Sequence, residues 1–331
     1  MLIRTAELLV SGQTRESIRR LVRRGDLVRI RRGAYCLGEA WRTLNSRERH
    51  IVRAAAVVSD VQDPVLAGRS AAAVWGIPVL DDTWPAEVLL LATYRGGGKS
   101  EPGVRRTSVG ARNAPITVHQ GLPVTSLART VVDLAATEGF VAGVVAADWA
   151  LRTGSSRGEL LEAVLRRSSA YGQVVARQSV AFADGTAENG GESVARAVIY
   201  QLGFEEPELQ VVVRDRIGEM RVDFRWRRSD GAWVFGEFDG KQKYTRQEYN
   251  SGDPAEVVWR EKKREDRLRA IPGSCVRILW SHLANPVELI ALLSDAGVPR
   301  RGSARLDPVR IGSNRAQIQP SGRGGVGRLD G

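Results

Sequence analysis

The segment WVFGEFDG, residues 233–240, constrains the fold of this chain more than any other stretch. Its apolar start, Trp233 to Phe235, is typical of a buried strand, yet the strand continues into Glu237 and Asp239. Side chains alternate between the two faces of a strand, so these two carboxylates share one face. Gly240 then ends the strand, and a lysine-rich stretch follows. The pattern predicts negative charge gathered at the end of a strand.

The elements around this strand predict one folding unit over residues 186–299. The glycine Gly218 and the turn SDG at 229–231 separate three strand patterns, which favours antiparallel hairpins. A charged helix and a closing helix flank a fourth strand. The predicted elements are a helix over 188–202, strands over 209–213, 221–226 and 233–239, a helix over 256–270, a strand over 275–280 and a helix over 285–297.

Hairpin pairing would bring Asp223 close to Glu237 or Asp239. Carboxylates that converge repel each other strongly unless a cation joins them or some of them bind protons. A hard divalent cation such as Mg²⁺ or Mn²⁺, held by two or three oxygens, satisfies this condition. Such a site is suited to phosphodiester hydrolysis. For each acid considered alone, a surface salt bridge is the alternative.

Five motifs occur in order in this unit: GGESVAR (190–196), RVDFRW (221–226), GEFDGKQKY (236–244), EKKREDRLRA (261–270) and CVRILW (275–280). In this order they resemble the PD-(D/E)XK nuclease superfamily, in particular the branch related to very-short-patch-repair endonucleases. The resemblance covers roughly residues 186–295. It implies a restriction-endonuclease-like core, in which a mixed sheet is flanked by helices, and the activity of a Mg²⁺-dependent endodeoxyribonuclease.

The same resemblance implies the site residues. The catalytic set would be Glu192, Asp223, Glu237, Asp239 and Lys241, with Mg²⁺ or Mn²⁺ held by Asp223, Glu237 and Asp239. The superfamily usually has lysine two residues after its second acid, and Asp239 occupies that position here. Either the lysine has moved to Lys241, Lys243 or Lys262, or the motif is Asp239 to Lys241. Lys262 and Arg264 would bind nucleic acid, or else belong to a solvated helix face.

The positive charge of the chain is concentrated at its two ends. The net charge is +11, and residues 1–35 hold nine arginines against three acidic residues. The sequence predicts a helix over 3–11, a second helix capped by Thr14 and closed by Gly25, and a hairpin over 27–37. This is the winged-helix arrangement, whose second helix enters a major groove. The predicted DNA contacts are Arg15, Arg19, Arg20, Arg23, Arg24, Arg31 and Arg32.

Residues 1–60 resemble the N-terminal winged helix of abortive-infection antitoxins, which implies duplex DNA as a partner and a protein partner from a defence or toxin–antitoxin operon. A small helical cap with a solvated arginine face is the alternative. The predicted boundaries are a winged helix over 1–46, a mixed α/β middle domain over 47–185, the nuclease-like domain over 186–299 and a disordered basic tail over 300–331. The fold class is therefore α+β.

The sequence lacks the signals that are typical of membrane-spanning and secreted proteins. No apolar run approaches the roughly 18–20 residues of a membrane span, and the N-terminus does not have the pattern of a secretory signal. Cys36 and Cys275 are predicted to be reduced thiols of a cytoplasmic protein. We expect a DNA-binding, metal-dependent endonuclease. A non-catalytic DNA-binding regulator or antitoxin-like protein with a degenerate nuclease domain is the alternative, and an RNA-directed hydrolase would use the same site.

Overall fold

The structure, a computed structural model, describes residues 2–81, 83–92, 101–108, 113–240, 267–268 and 273–301. The described chain is α+β, as the sequence predicts, and none of its helices is long and apolar enough to cross a membrane. The predicted charged helix over 256–270 lies outside the described residues except for 267–268, and the predicted tail does so except for 300 and 301.

The first elements form the N-terminal unit. They are β1 (Leu2–Arg4), α1 (Thr5–Val10), α2 (Arg15–Arg24), β2 (Leu27–Arg31), β3 (Ala34–Leu37) and α3 (Gly38–Thr43). The side chain of Thr14 accepts the N–H of Ser17 at the start of α2, and Gly25 ends the helix in the left-handed conformation with φ of 78°. Both signals were read correctly from the sequence.

The predicted helix over 3–11 is wrong at its start. Leu2–Arg4 forms β1, which pairs antiparallel with β3 and gives the sheet order β1-β3-β2. The first N–H groups of a helix have no hydrogen-bond partner within the helix. Pairing with β3 instead gives the main-chain groups of Leu2–Arg4 such partners. The helix therefore begins at Thr5, whose N–H donates to the carbonyl of Gly33 in the β2–β3 turn.

The middle of the described chain combines short strand pairs with a helical cluster. Strands β4 and β5 are parallel, β6 and β7 form a hairpin, and helices α6 to α9 pack around a common apolar cluster. The elements are α4 (Ser46–Val58), α5 (Gly68–Trp75), β4 (Val88–Leu91), β5 (Val104–Thr107), β6 (Ile116–His119), β7 (Leu122–Thr125), α6 (Leu127–Glu138), α7 (Phe140–Arg152), α8 (Arg157–Arg166) and α9 (Gln173–Phe182).

The C-terminal elements form a mixed sheet with the order β11-β10-β9-β8. Strands β8, β9 and β10 are antiparallel neighbours, as predicted, and β11 runs parallel to β10. One apolar cluster joins the sheet to helices α10 and α13. The elements are α10 (Gly190–Gln201), β8 (Glu208–Arg214), β9 (Glu219–Arg227), β10 (Trp233–Asp239), β11 (Gly273–Leu279), α12 (Trp280–Ala284) and α13 (Pro286–Asp295).

A buried arginine attaches α10 to the middle helices. The side chain of Arg196 is 0% exposed, and its Nη2 donates to both carboxylate oxygens of Asp148 in α7, at 3.0 and 2.9 Å. Its Nη1 donates to Glu206 and to the carbonyl of Phe182, at 2.8 and 2.9 Å. The guanidinium also lies 4.3 Å from the ring centre of Phe182. These contacts hold α10 against α7 and α9.

We expect Arg196→Met to lower the free energy of unfolding by about 3–5 kcal/mol, because the buried carboxylate of Asp148 would lose its counter-charge. Urea unfolding followed by circular dichroism measures this change. In the Arg196→Met background, Asp148→Asn should restore part of the loss, since it removes the unpaired charge. A loss no larger than that of Arg166→Met, at an exposed site on α8, would contradict this account.

Candidate nucleic-acid interface and carboxylate site

A groove of about 570 Å³ lies between α2 and the β2–β3 hairpin. Its uncharged lining residues include Ile18, Val22 and Tyr35. The arginines that line it are Arg15, Arg19, Arg23, Arg29 and Arg32. No acidic side chain is among the described residues that line it. We call this feature the arginine groove. It presents concentrated positive charge beside an exposed helix.

Spacing along α2 selects which arginines enter the groove. Arg15, Arg19 and Arg23 are four residues apart and therefore occupy one face of the helix. Arg20 and Arg24 are exposed but do not line the groove, and the guanidinium of Arg24 lies 3.3 Å from the carboxylate of Asp26.

The structure adds Arg29 to the predicted set and places Arg31 elsewhere. The β2–β3 register shifts between positions 29 and 31, and such a bulge re-aims the following side chain. Arg31 makes ion pairs with Asp60 at 3.0 Å and Glu101 at 3.3 Å. Its charge is thereby compensated within the protein, so we do not include Arg31 among the candidate DNA contacts.

Asp223 lies at the place where β9 and β10 stop pairing. The last pair of that ladder is Phe224 with Gly236, so Asp223 and Glu237 come next on the two neighbouring strands. The Oδ2 atom of Asp223 accepts the N–H of Phe238 at 2.8 Å. The Asp223 carboxylate is therefore directed at the end of β10, beside the acidic segment that the sequence analysis singled out.

The start of α10 brings Glu192 to the same place. The side chain of Asn189 caps the helix by accepting the N–H groups of Gly191 and Glu192. Gly191 has no side chain, and a methyl group there would overlap the ring of Phe238 in β10. Glycine at this position lets the helix start approach the strand closely.

The Glu192 carboxyl group is buried but well supplied with donors. It accepts hydrogen bonds from the Glu188 N–H and the Gln210 side-chain amide, both at 2.8 Å, and from the Asn189 amide at 2.5 Å. Burial raises its pKa to about 7, and the nearby charge of Asp223 adds to this increase. Near neutral pH this carboxyl group is therefore protonated in a substantial fraction of the molecules.

Gln210 joins the two acids. Its Nε2 donates to Glu192 Oε2 at 2.8 Å and to Asp223 Oδ1 at 3.4 Å. The residue has a φ of 50°, which is unusual for a residue other than glycine. Sequence reasoning did not identify Gln210, because a single glutamine inside a strand pattern carries no signal of its own.

Asp239 has a different environment from the one predicted. Its Oδ2 lies 3.3 Å from Nε of Arg277, in the strand that pairs with β10, so an arginine already compensates its charge. Glu237 pairs in register with the same Arg277. The remaining predicted residues, Lys241, Lys262 and Arg264, lie outside the described residues.

The described residues contain no group of three or more His, Cys, Asp and Glu side chains arranged to hold a metal ion. Mg²⁺ is usually held by one or two carboxylates together with waters and substrate phosphates. Asp223 and Glu192, joined through Gln210, fit that smaller donor set. Among the described residues the Oε1 atom of Gln210 is buried and makes no hydrogen bond, while Nε2 of the same amide faces the two acids.

Comparison with known proteins supports the assignment of the N-terminal unit. Residues 2–38 match a family described as transcriptional regulator, AbiEi antitoxin. The N-terminal unit is similar to these regulators. Two proteins of Mycobacterium tuberculosis, "Uncharacterized protein MT2308" and "Uncharacterized protein Rv2248", are each 33% identical over 192 residues, which is 54% of this chain and 65% of each relative. The chain thus spans less than two thirds of the length of these relatives.

We expect Glu192→Gln to remove a pH dependence of stability. The folded-state pKa of Glu192 lies above the ordinary value of 4.5, so its stabilising effect is largest below pH 4.5 and is lost as pH rises to about 7. The stability of the variant relative to wild type should therefore increase by about 2 kcal/mol between pH 5 and pH 8. Urea unfolding in EDTA at both pH values measures this. A difference that does not change with pH would contradict it.

Proposed function

We propose that this protein binds duplex DNA through the arginine groove. The single observation that carries the proposal is the convergence of five arginines from α2 and the β2–β3 hairpin on one groove without a lining acid among the described residues. Phosphate contacts by such side chains release counterions and supply most of the affinity in non-specific binding. The likeness of residues 2–38 to transcriptional regulators supports the same ligand.

The geometry suggests separate roles for α2 and the β2–β3 hairpin in binding DNA. A winged helix places its second helix in the major groove, which for this chain is α2 with Arg15, Arg19 and Arg23. Arg29 and Arg32 on the hairpin would bind the flanking phosphates. Phosphate contacts position a protein on the duplex, whereas contacts to base edges specify the sequence. The groove is dominated by charge, so we expect binding with a strong phosphate component.

Substitution of groove arginines should weaken DNA binding in a salt-dependent manner. We expect Arg23→Gln and Arg32→Gln each to reduce the slope of log K against log salt by about one. Fluorescence anisotropy with a labelled duplex between 50 and 300 mM salt measures this slope. The control is Arg166→Gln, because Arg166 is an exposed arginine on α8 that pairs with Glu162. Equal slopes for all variants, or wild-type binding that does not vary with salt, would contradict the proposal.

A second candidate function is metal-dependent phosphodiester hydrolysis by the C-terminal unit. The observation that favours it is the meeting of Asp223, Glu192 and Gln210 at the end of the β9–β10 ladder. A helix followed by three antiparallel strands, with a fourth strand parallel to the third, is also consistent with the PD-(D/E)XK resemblance. Asp223 and Glu192 would hold Mg²⁺ or Mn²⁺, which would activate water and neutralise developing charge on the phosphate.

The protein groups have separable roles in this second proposal. The N–H of Phe238 fixes the orientation of the Asp223 carboxylate. The Glu192 carboxyl group, as a ligand of the cation, would act in its deprotonated form, held in place by the Glu188 N–H and the Asn189 side-chain amide. Lys241 is the lysine closest in sequence to β10, and we retain it as the candidate for contacting the substrate phosphate.

The rival is a DNA-binding regulator that does not cut its ligand and uses the C-terminal unit to bind a protein, for example the product of a neighbouring defence or toxin–antitoxin gene. RNA as the substrate would use the same carboxylates. Incubation of the protein with Mg²⁺ or Mn²⁺ and plasmid, linear or single-stranded DNA, or RNA distinguishes these possibilities.

We expect Asp223→Asn to reduce metal-dependent cleavage at least a hundredfold, on the order of 3 kcal/mol in the barrier. The matched control is Asp230→Asn, which changes an exposed carboxylate in the turn between the same two strands. It should leave cleavage unchanged. If wild type, Asp223→Asn and Asp230→Asn all show the same weak cleavage, the activity is a contaminant and the regulator explanation stands.

A further inference from the structure

We propose that Gln210 is a positioning residue of the carboxylate site that changes its side-chain amide from donor to acceptor when a divalent cation joins the acids. In the cation-free protein the amide NH₂ group holds Glu192 and Asp223 together. With a cation present, the amide turns about its last bond and its oxygen faces the site. This inference rests on the second candidate function, because it concerns the cation which that function requires.

The hydrogen bonds of Gln210 show the first part of this role, in which the side-chain amide acts as a donor. One NH₂ group reaches an oxygen of Glu192 at 2.8 Å and an oxygen of Asp223 at 3.4 Å. Gln210 lies across from Asp223 in the β8–β9 pairing, between the pairs Leu209–Phe224 and Val211–Val222. A neutral amide that donates to both carboxylates reduces their repulsion without adding a charge.

The amide oxygen of Gln210 indicates the second part of the proposed role, in which the side chain acts as an acceptor. Oε1 of Gln210 is buried and accepts no hydrogen bond from the part of the chain that the structure describes. Buried polar atoms normally have partners, so an orphaned one calls for an explanation. The backbone of Gln210 also has a φ of 50°, and strained conformations of this kind persist where the surrounding structure requires them.

Electrostatics then requires the amide to turn. A cation bound to the same carboxylate oxygens would repel the hydrogens of the NH₂ group. The terminal torsion of glutamine is broad and roughly two-fold, so rotation by half a turn is not opposed by a high barrier. After rotation, the amide oxygen faces the cation or a water on it, and amide oxygens are ordinary ligands of hard cations.

Mn²⁺ titration followed by electron paramagnetic resonance tests the proposal in the full-length protein. We expect Gln210→Met to weaken Mn²⁺ binding by about tenfold to a hundredfold, the usual effect of losing a supporting group. Gln210→Glu keeps an oxygen and should bind Mn²⁺ at least as tightly as wild type. The control is Gln173→Met, because the side-chain amide of Gln173 donates to the carbonyl of Val164 in α8 rather than to a carboxylate.

The outcomes separate the two proposals. Absence of Mn²⁺ binding by wild type would overturn both the second candidate function and the role of Gln210. Wild-type binding that Gln210→Met leaves equal to the Gln173→Met control would overturn the role of Gln210 alone. Equal weakening by Gln210→Met and Gln210→Glu would show that the amide acts only as a donor, which also overturns the proposal.

A measurement on the wild-type protein avoids any dependence on the folding of variants. The side-chain amide of Gln210 has its own ¹⁵N–¹H signals, which report whether the NH₂ group is hydrogen-bonded to carboxylates. We expect these signals to shift when Mg²⁺ is added, while those of Gln173 stay in place. Saturation of the site, followed by the Glu192 and Asp223 carboxyl ¹³C signals, without a shift in the Gln210 amide would overturn the proposal.

Discussion

The contact between Arg196 and Asp148 determines where the C-terminal unit meets the rest of the described chain. Both side chains are fully buried, so their charges must satisfy each other, and the pair fixes α10 against α7. Glu192 precedes Arg196 by four residues and therefore lies on the same side of α10, one turn nearer the helix start. The position of the candidate carboxylate site thus follows from an ion pair that takes no part in its chemistry.

Local rules predicted much of the C-terminal fold. Alternating residues and the turn glycines identified β8, β9 and β10, and hairpin pairing correctly placed Asp223 beside the end of β10. The N-terminal helix and hairpin were equally predictable because Thr14 and Gly25 mark the limits of α2. Helices α8 and α9 were not predicted, although Ser156 and Glu159 form a capping box at the start of α8.

The remaining features depend on contacts between residues that are far apart in sequence. The periodicity of apolar residues along the chain does not reveal such contacts. The bulge that redirects Arg31 is a register shift between two strands, and the arginine that compensates Asp239 comes from a strand almost forty residues later. Gln210 acquires its role only when β8 lies beside β9 and the start of α10 brings Glu192 within reach of its side chain. A residue that is functional because of two neighbours distant in sequence cannot be recognised from its own surroundings in the chain.

The ion pairs of Arg31 have a mechanical consequence. They connect the hairpin to Asp60, just after α4, and Arg4 of β1 is attached to the same carboxylate at 2.7 Å. A loosely held hairpin would have to become ordered each time it contacted a ligand, and that ordering would subtract from affinity. Here the hairpin is braced in advance, so little of that ordering cost would remain when a polyanion binds to it.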